Sequence, residues 1–179
     1  MVAARAGEDW AREALFRRYS RMVYGLAYRL VGRDEELDDL VQDCFVQALT
    51  HLGRLSEPQA FGAWLTAVVV RTTHKVLRRR ALATRLGLRS RGQPVDVDTL
   101  VARVAPADVV AELRAVYRLI DRLPSRVRVA LVLRRVEGMS QDEVAAAMGV
   151  SVSTAKRLIV EAELVLESAQ EPAPPRRDR

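Results

Sequence analysis

In SVSTAKRLIVEAELVLE, residues 151–167, hydroxyls, an ammonium and a guanidinium crowd the first two turns of one amphipathic stretch. Ser153, Thr154, Lys156 and Arg157 carry the groups that hydrogen-bond base edges and phosphates. The chemistry they offer is recognition of DNA, with Arg157 able to bond a guanine edge in bidentate fashion, worth roughly 1–3 kcal/mol of discrimination. Ser151 stands one step earlier as the helix's own cap. Glu161, Glu163 and Glu167 then make the second half acidic, so the reading of DNA is expected in the first two turns. Glu161 follows Arg157 by four residues, a spacing at which the two can pair.

A second basic strip lies upstream. Every charged side chain between Arg71 and Arg91 is basic, and Arg71, Lys75 and Arg78 recur along one helical face, with Arg79 and Arg80 extending the charge. Such a strip neutralises phosphates, and the affinity it gives falls steeply with salt. Phe61 and Trp64 precede it; they could stack on unpaired bases, but their helical spacing fits core packing better.

From Asp34 to Asp43 every charged side chain is acidic. Asp38, Asp39 and Asp43 sit on the outer face of a helix with no second acidic segment to close a metal site, and a solvated face is the reading they support. Catalytic chemistry finds little footing. His51 and His74 are the only histidines, Cys44 is the only cysteine, no His/Cys/Glu group has metal-ligand spacing, and there is no Gly-rich phosphate loop. No catalytic residue, metal or cofactor is expected.

The elements that position these groups are helical. The chain has 179 residues, 49% of them hydrophobic, only 5% aromatic, and a formal charge of +6, a balance that suits a helical protein with a polyanionic partner. Leu15, Tyr19, Met22, Val23, Leu26 and Leu30 predict a helix from Asp9 to Val31, stopped by Gly32. Leu37, Leu40, Val41, Cys44, Ala48 and Leu52 predict a second, with acidic residues in its first turn where the helix dipole favours them. Pro58 opens a third that carries Phe61, Trp64, Leu65, Val68 and Thr72 inward and runs through Arg80.

Periodicity weakens over residues 81–107, where RSRGQPVDVD reads as a flexible linker. It resumes with Val109, Leu113, Val116 and Ile120, breaks at Pro124, and returns with Val127, Ala130 and Leu131. Ser140 and Glu143 have capping-box spacing, Gly149 ends that short helix, and Ala155, Leu158, Ile159, Ala162 and Val165 form the inward stripe of the next. Two short helices joined by a glycine-containing turn predict a helix-turn-helix. The expected fold is all-α: a domain over residues 8–80, the linker over 81–107, a helix-turn-helix domain over 108–168, and a disordered tail over 169–179.

The single cysteine and the absence of a signal-like start fit the cytoplasm, and the longest apolar run, Ala60 to Val70, is too short to span a bilayer. Two functional readings follow from the residues: a helix-turn-helix repressor or activator binding duplex DNA, and a protein-binding adaptor of the same fold.

The order of parts favours a third, carried by a resemblance. DDLVQDCFVQAL, FGAWLTAVVVRTTHKVLRRR and LPSRVRVALVLRRVEGMSQDEVAAAMGVSVSTAKRLI resemble, in sequence and order, the segments of a bacterial sigma factor of the extracytoplasmic-function (ECF) group. The resemblance implies that Asp38, Asp39, Gln42 and Asp43 dock on the coiled coil of the largest subunit of core RNA polymerase. It implies that Leu52 to Gln59 and Arg71 to Arg80 engage the minus-ten element of promoter DNA and help hold a flipped base, and that the helix-turn-helix reads the minus-thirty-five element. It further implies an anti-sigma partner and no small-molecule substrate. The chain departs from the family pattern at Glu161 and Glu163, where arginines are usual, at Leu49, where tryptophan is common, and in VVVRTTHKV within the basic helix.

Overall fold

The computed structural model describes residues 1–32, 36–87 and 106–170, and among them every regular element is helical. Helix α1 (Val2–Arg5) leads into α2 (Asp9–Val31), α3 (Leu37–Thr50) and α4 (Phe61–Arg85), the last preceded by short 3₁₀ turns at Leu52–Arg54 and Pro58–Ala60. The second half holds α5 (Ala107–Arg122), α6 (Ser125–Leu131), a π turn over Val132–Val136, α7 (Gln141–Met148) and α8 (Val152–Gln170).

Helices α2, α3 and α4 pack on one another around Val23, Leu26, Leu30, Cys44, Ala48, Leu65 and Val69, all essentially without solvent contact. Each leucine so enclosed contributes roughly 1.5–3 kcal/mol. Tyr19 and Trp64 flank Phe61 with ring centroids 5.0 and 5.9 Å away, so the aromatic pair at the start of α4 is core packing. Gly32, at φ 78, ends α2 in a backbone region that a side chain would disfavour, and its N–H donates to Tyr28 O at 2.8 Å. Helix α1 packs on the turn after α3, where the Arg5 guanidinium donates to Leu55 O.

In the second half, α8 packs against α5, α6 and α7. Ser140 accepts from Glu143 N at 3.2 Å while the Glu143 carboxylate accepts from Ser140 N at 2.8 Å, the reciprocal cap its sequence predicts. Those bonds pull the Glu143 carboxyl below its ordinary range. Gly149 takes the left-handed conformation at φ 64 to end α7, and Ser151 caps α8 by accepting from Thr154 N at 3.3 Å. The helix-turn-helix is therefore α7 and α8.

The two halves also touch: α4 packs against both α6 and α7. Four expectations need correction at the edges. Helix α4 runs on to Arg85 rather than ending at Arg80, and α8 runs to Gln170, because nothing in RALATR or ESAQ breaks a helix. Val109 and Val165, expected inside, are 40% and 37% exposed. The inward places in these turns are taken instead by the next residues, Val110 on α5 and Leu166 on α8, which pack against the core and leave Val109 and Val165 turned outward. The linker over 88–105 and the tail over 171–179 lie outside the described residues.

Candidate functional site

The outer face of α3 is acidic. Leu37, Leu40, Val41, Cys44, Phe45 and Ala48 turn inward, which leaves Asp38, Asp39, Gln42 and Asp43 exposed together on the opposite side. Val46, 55% exposed, continues that face, and Phe16 of α2, 45% exposed, lies beside it with its ring 4.7 Å from Phe45. The acidic side chains of this face thus stand beside two uncovered apolar ones. Val46 and Phe16 were missed in the sequence although both fall off the inward stripes of their helices, which was the signal available. Cys44 beneath this face is buried and its thiol is pushed up to about 11, chiefly by desolvation, so it is not a reactive group.

Helix α4 presents its cations unevenly. Arg71, Lys75, Arg78 and Arg79 are exposed, but Arg80 is buried at 9% exposure. Its guanidinium reaches Val31 O and the Glu36 carboxylate, each at 3.5 Å, and thereby caps the end of α2. Arg80, read from the sequence as part of the phosphate strip, is a packing residue in this arrangement. Arg79 shares Glu36 at 3.4 Å while remaining in solvent. The spacing 71, 74, 78 turns Arg71, His74 and Arg78 toward the second half, where His74 and Arg78 line a groove of about 610 Å³ with Ser125, Arg126, Leu158 and Glu161. Burial, then the cations Arg126 and Arg78, hold His74 below its ordinary value of 6.5.

The N-terminal turns of α8 are exposed, with Lys156 and Arg157 both in solvent. The Ser153 and Thr154 hydroxyls lie 3.0 and 2.9 Å from Ser151 Oγ, forming a small hydroxyl cluster around the cap. The acidic half has its own partners. Glu161 lies 3.7 Å from Arg157, and Glu163 accepts from Arg135 at 2.5 Å. Of the carboxylates that follow the basic turns, Glu163 ties α8 to the π turn and Glu161 lines the groove beside α4.

Comparison with known proteins matches residues 15–83 to the family described as Sigma-70 region 2 and residues 113–164 to that described as Sigma-70, region 4. The chain is 32% identical over 157 residues to the ECF RNA polymerase sigma factor SigM of Mycobacterium tuberculosis, covering 87% of this chain and 75% of that one. This chain belongs to the ECF sigma factors.

The sigma factor is also 28% identical over 184 residues to the RNA polymerase sigma-H factor of Pseudomonas aeruginosa, covering 93% and 89% of the two chains. It spans 56% of the length of the ECF sigma factor SigE of Mycolicibacterium smegmatis, to which it is 29% identical. Among solved structures it shares its fold with the sigma factor RpoE of Bartonella quintana, crystallised with the anti-sigma factor NepR, at a TM-score of 0.68 and 19% identity over 87% of this chain and 94% of that one. CnrH in complex with the cytosolic domain of CnrY matches at a TM-score of 0.61 and 25% identity over 94% and 92%. The region 2 match contains the acidic face of α3 and the basic strip of α4, and the region 4 match contains the α7–α8 helix-turn-helix. Among the described residues no helix is long and apolar enough to cross a membrane.

Proposed function

We propose that this sigma factor brings core RNA polymerase to a promoter through three separate faces, acting by binding rather than by bond-making and in the cytoplasm. Asp38, Asp39, Gln42 and Asp43, with Val46 and Phe16, form the face for the largest polymerase subunit. Arg71, Lys75, Arg78 and Arg79, with the loop Leu52 to Gln59, hold the backbone and unpaired bases of the minus-ten element. Ser153, Thr154, Lys156 and Arg157 read the minus-thirty-five element in the major groove. The working division is residues 8–80 and 108–168, with 81–107 between.

The observation that carries this reading is the segregation of charge: an exposed acidic and apolar face on α3, and exposed basic faces on α4 and at the start of α8. A repressor needs no acidic docking face, and an adaptor needs neither basic one. Melting is driven by binding differences, since cations and stacking surfaces that hold a single strand favour the opened duplex. The solved relatives bound to NepR and CnrY support an anti-sigma protein as a further partner. Reconstituted transcription with bacterial core polymerase and a library of upstream sequences tests the proposal. A reproducible two-block promoter motif is expected; initiation from no sequence in the library would overturn it.

A further inference from the structure

The loop between α3 and α4 is anchored by the buried side chains of Leu52 and Leu55 and closed by buried Phe61, while Ser56, Glu57, Pro58 and Gln59 between the anchors are exposed. Its backbone bonds are local. Arg54 N donates to His51 O at 2.9 Å, Leu55 N to Leu52 O at 3.3 Å and Ala60 N to Glu57 O at 3.0 Å, so each 3₁₀ turn is closed within itself. None of these three bonds ties one turn to the other. The join between them is extended backbone, with ψ 112 at both Leu55 and Glu57. The direction in which the exposed run points therefore depends on what grips that join.

The grip comes from α1. The Arg5 guanidinium donates to Leu55 O, the carbonyl at which the join begins, across 50 residues of sequence. Helix α1 is itself fixed. Ala4 is buried at 1% exposure, and Met1 and Ala3 pack against the core. Arg12 Nε of α2 donates to Ala4 O at 3.4 Å, and Glu8 N donates to Ala3 O at 3.0 Å where the chain turns from α1 into α2. A helix of four residues has no stability of its own, so these contacts are what hold it. They form a relay from α2 through α1 to the loop. Ala4, Arg5 and Arg12 all lie outside residues 15–83, the segment matched to Sigma-70 region 2.

We infer that Arg5 is a positioning residue for minus-ten recognition: through Leu55 O it holds the exposed run Ser56 to Gln59 in the conformation that receives the unpaired base. The inference rests on the reading of Leu52 to Gln59 as the loop that holds that base. Ser56, Glu57 and Gln59 offer donors and acceptors together, the groups that tell one base edge from another. They discriminate only if they stand in fixed places, because a loop that must be ordered on binding spends part of its interaction on the ordering. Arg5 acts before DNA arrives and by way of the protein backbone. Its contribution is therefore to base preference, whereas the cations of α4 contribute to affinity for any strand.

The test uses the full chain assembled with bacterial core polymerase on a promoter library randomised through the minus-ten element, beside hydrogen exchange of the free protein. Arg5→Ala should speed amide exchange across residues 52–60 and lower the preference at one minus-ten base roughly fivefold, the worth of one hydrogen bond. Preference in the minus-thirty-five element and capture of core polymerase, which a general loss of folding would lower, should hold at wild-type values. Arg5→Lys, with a point charge in place of a fork, should fall between the two proteins. If Arg5→Ala loses helical circular dichroism, Arg5→Gln replaces it. Unchanged exchange over residues 52–60, or faster exchange with unchanged base preference, would overturn the inference. So would equal weakening on every sequence with a shallower salt dependence, restored in full by Arg5→Lys, which would make Arg5 a phosphate contact. Ser56→Ala/Gln59→Ala checks the loop separately: if that pair leaves the minus-ten preference unchanged, the reading of the loop itself fails.

Discussion

The guanidinium of Arg128 donates to the carbonyl of Leu30 at 3.0 Å across 98 residues of sequence. The same side chain donates to Ile120 O at 3.1 Å and pairs with Asp121, so one buried cation ties α5, α6 and the end of α2 together. Burial, then the nearby Arg80 charge, pushes it down to about 10, still far enough above neutrality to keep the group charged.

Removing that cation takes a donor from Leu30 O and a partner from the Asp121 carboxylate, while Ile120 O keeps the Leu123 N–H at 3.1 Å. Arg128→Met is expected to destabilise the protein by about 3 kcal/mol, the low end for breaking a buried pair because Asp121 keeps some solvent. Arg128→Lys should recover only part of it, since an ammonium cannot span the same three acceptors. Urea denaturation of the three proteins at one pH makes the comparison.

Acid should destabilise the folded protein through His74. Its folded value lies below the ordinary 6.5, so the folded protein takes this proton less readily than the unfolded chain. The group then costs nothing above pH 6.5, and stability falls as pH drops below 6.5 toward the folded value. The charges facing it are Arg71 and Arg78 on α4, Arg126 on α6 and Glu161 on α8. His74→Gln should flatten the stability profile in that window; identical profiles for both proteins would remove His74 from the account.

The acidic face of α3 should matter for binding and not for folding. Asp43→Arg and Val46→Asp are each expected to weaken capture of core polymerase by at least about tenfold while changing stability by about 0.5 kcal/mol or less, as exposed substitutions do. Pull-down with core polymerase, beside thermal unfolding of the free protein, separates the two effects.

On α8, Arg157 and Glu161 compete with DNA for each other. The pair is exposed and 3.7 Å apart, a geometry worth roughly 0.3–0.5 kcal/mol, so Glu161→Gln should raise affinity for the minus-thirty-five element about twofold without changing its sequence. Arg157→Ala should instead cost roughly 1–3 kcal/mol and relax preference at one base pair. Selection from randomised duplexes reads both.

Local signals carried most of the fold. The Ser140–Glu143 cap, the stops at Gly32 and Gly149, and the inward stripe Ala155, Leu158, Ile159 and Ala162 are decided within a few residues, and they stand where periodicity places them. The candidate site was legible to the same depth: the outer faces of α3 and α8 follow from which residues point inward. What sequence could not supply is contact between distant segments. Arg80 looks like any member of a basic run until Val31 O and Glu36 are seen beside it. Arg128 sits in SRVRVAL with no local mark that it is buried while Arg126 is not. Arg29 and Glu137 lie 108 residues apart, and no periodic pattern links them.

The central claim is that promoter recognition is divided between two halves of one chain and completed only on polymerase. Permanganate and DNase footprinting on a selected promoter, with protein alone, core polymerase alone and both together, tests it most directly. The account predicts two protected blocks and reactive thymines in the minus-ten element only when both are present, with the thymine signal lost in Arg71→Glu/Arg78→Glu. A palindromic footprint from the protein alone, unchanged by core polymerase, would contradict it.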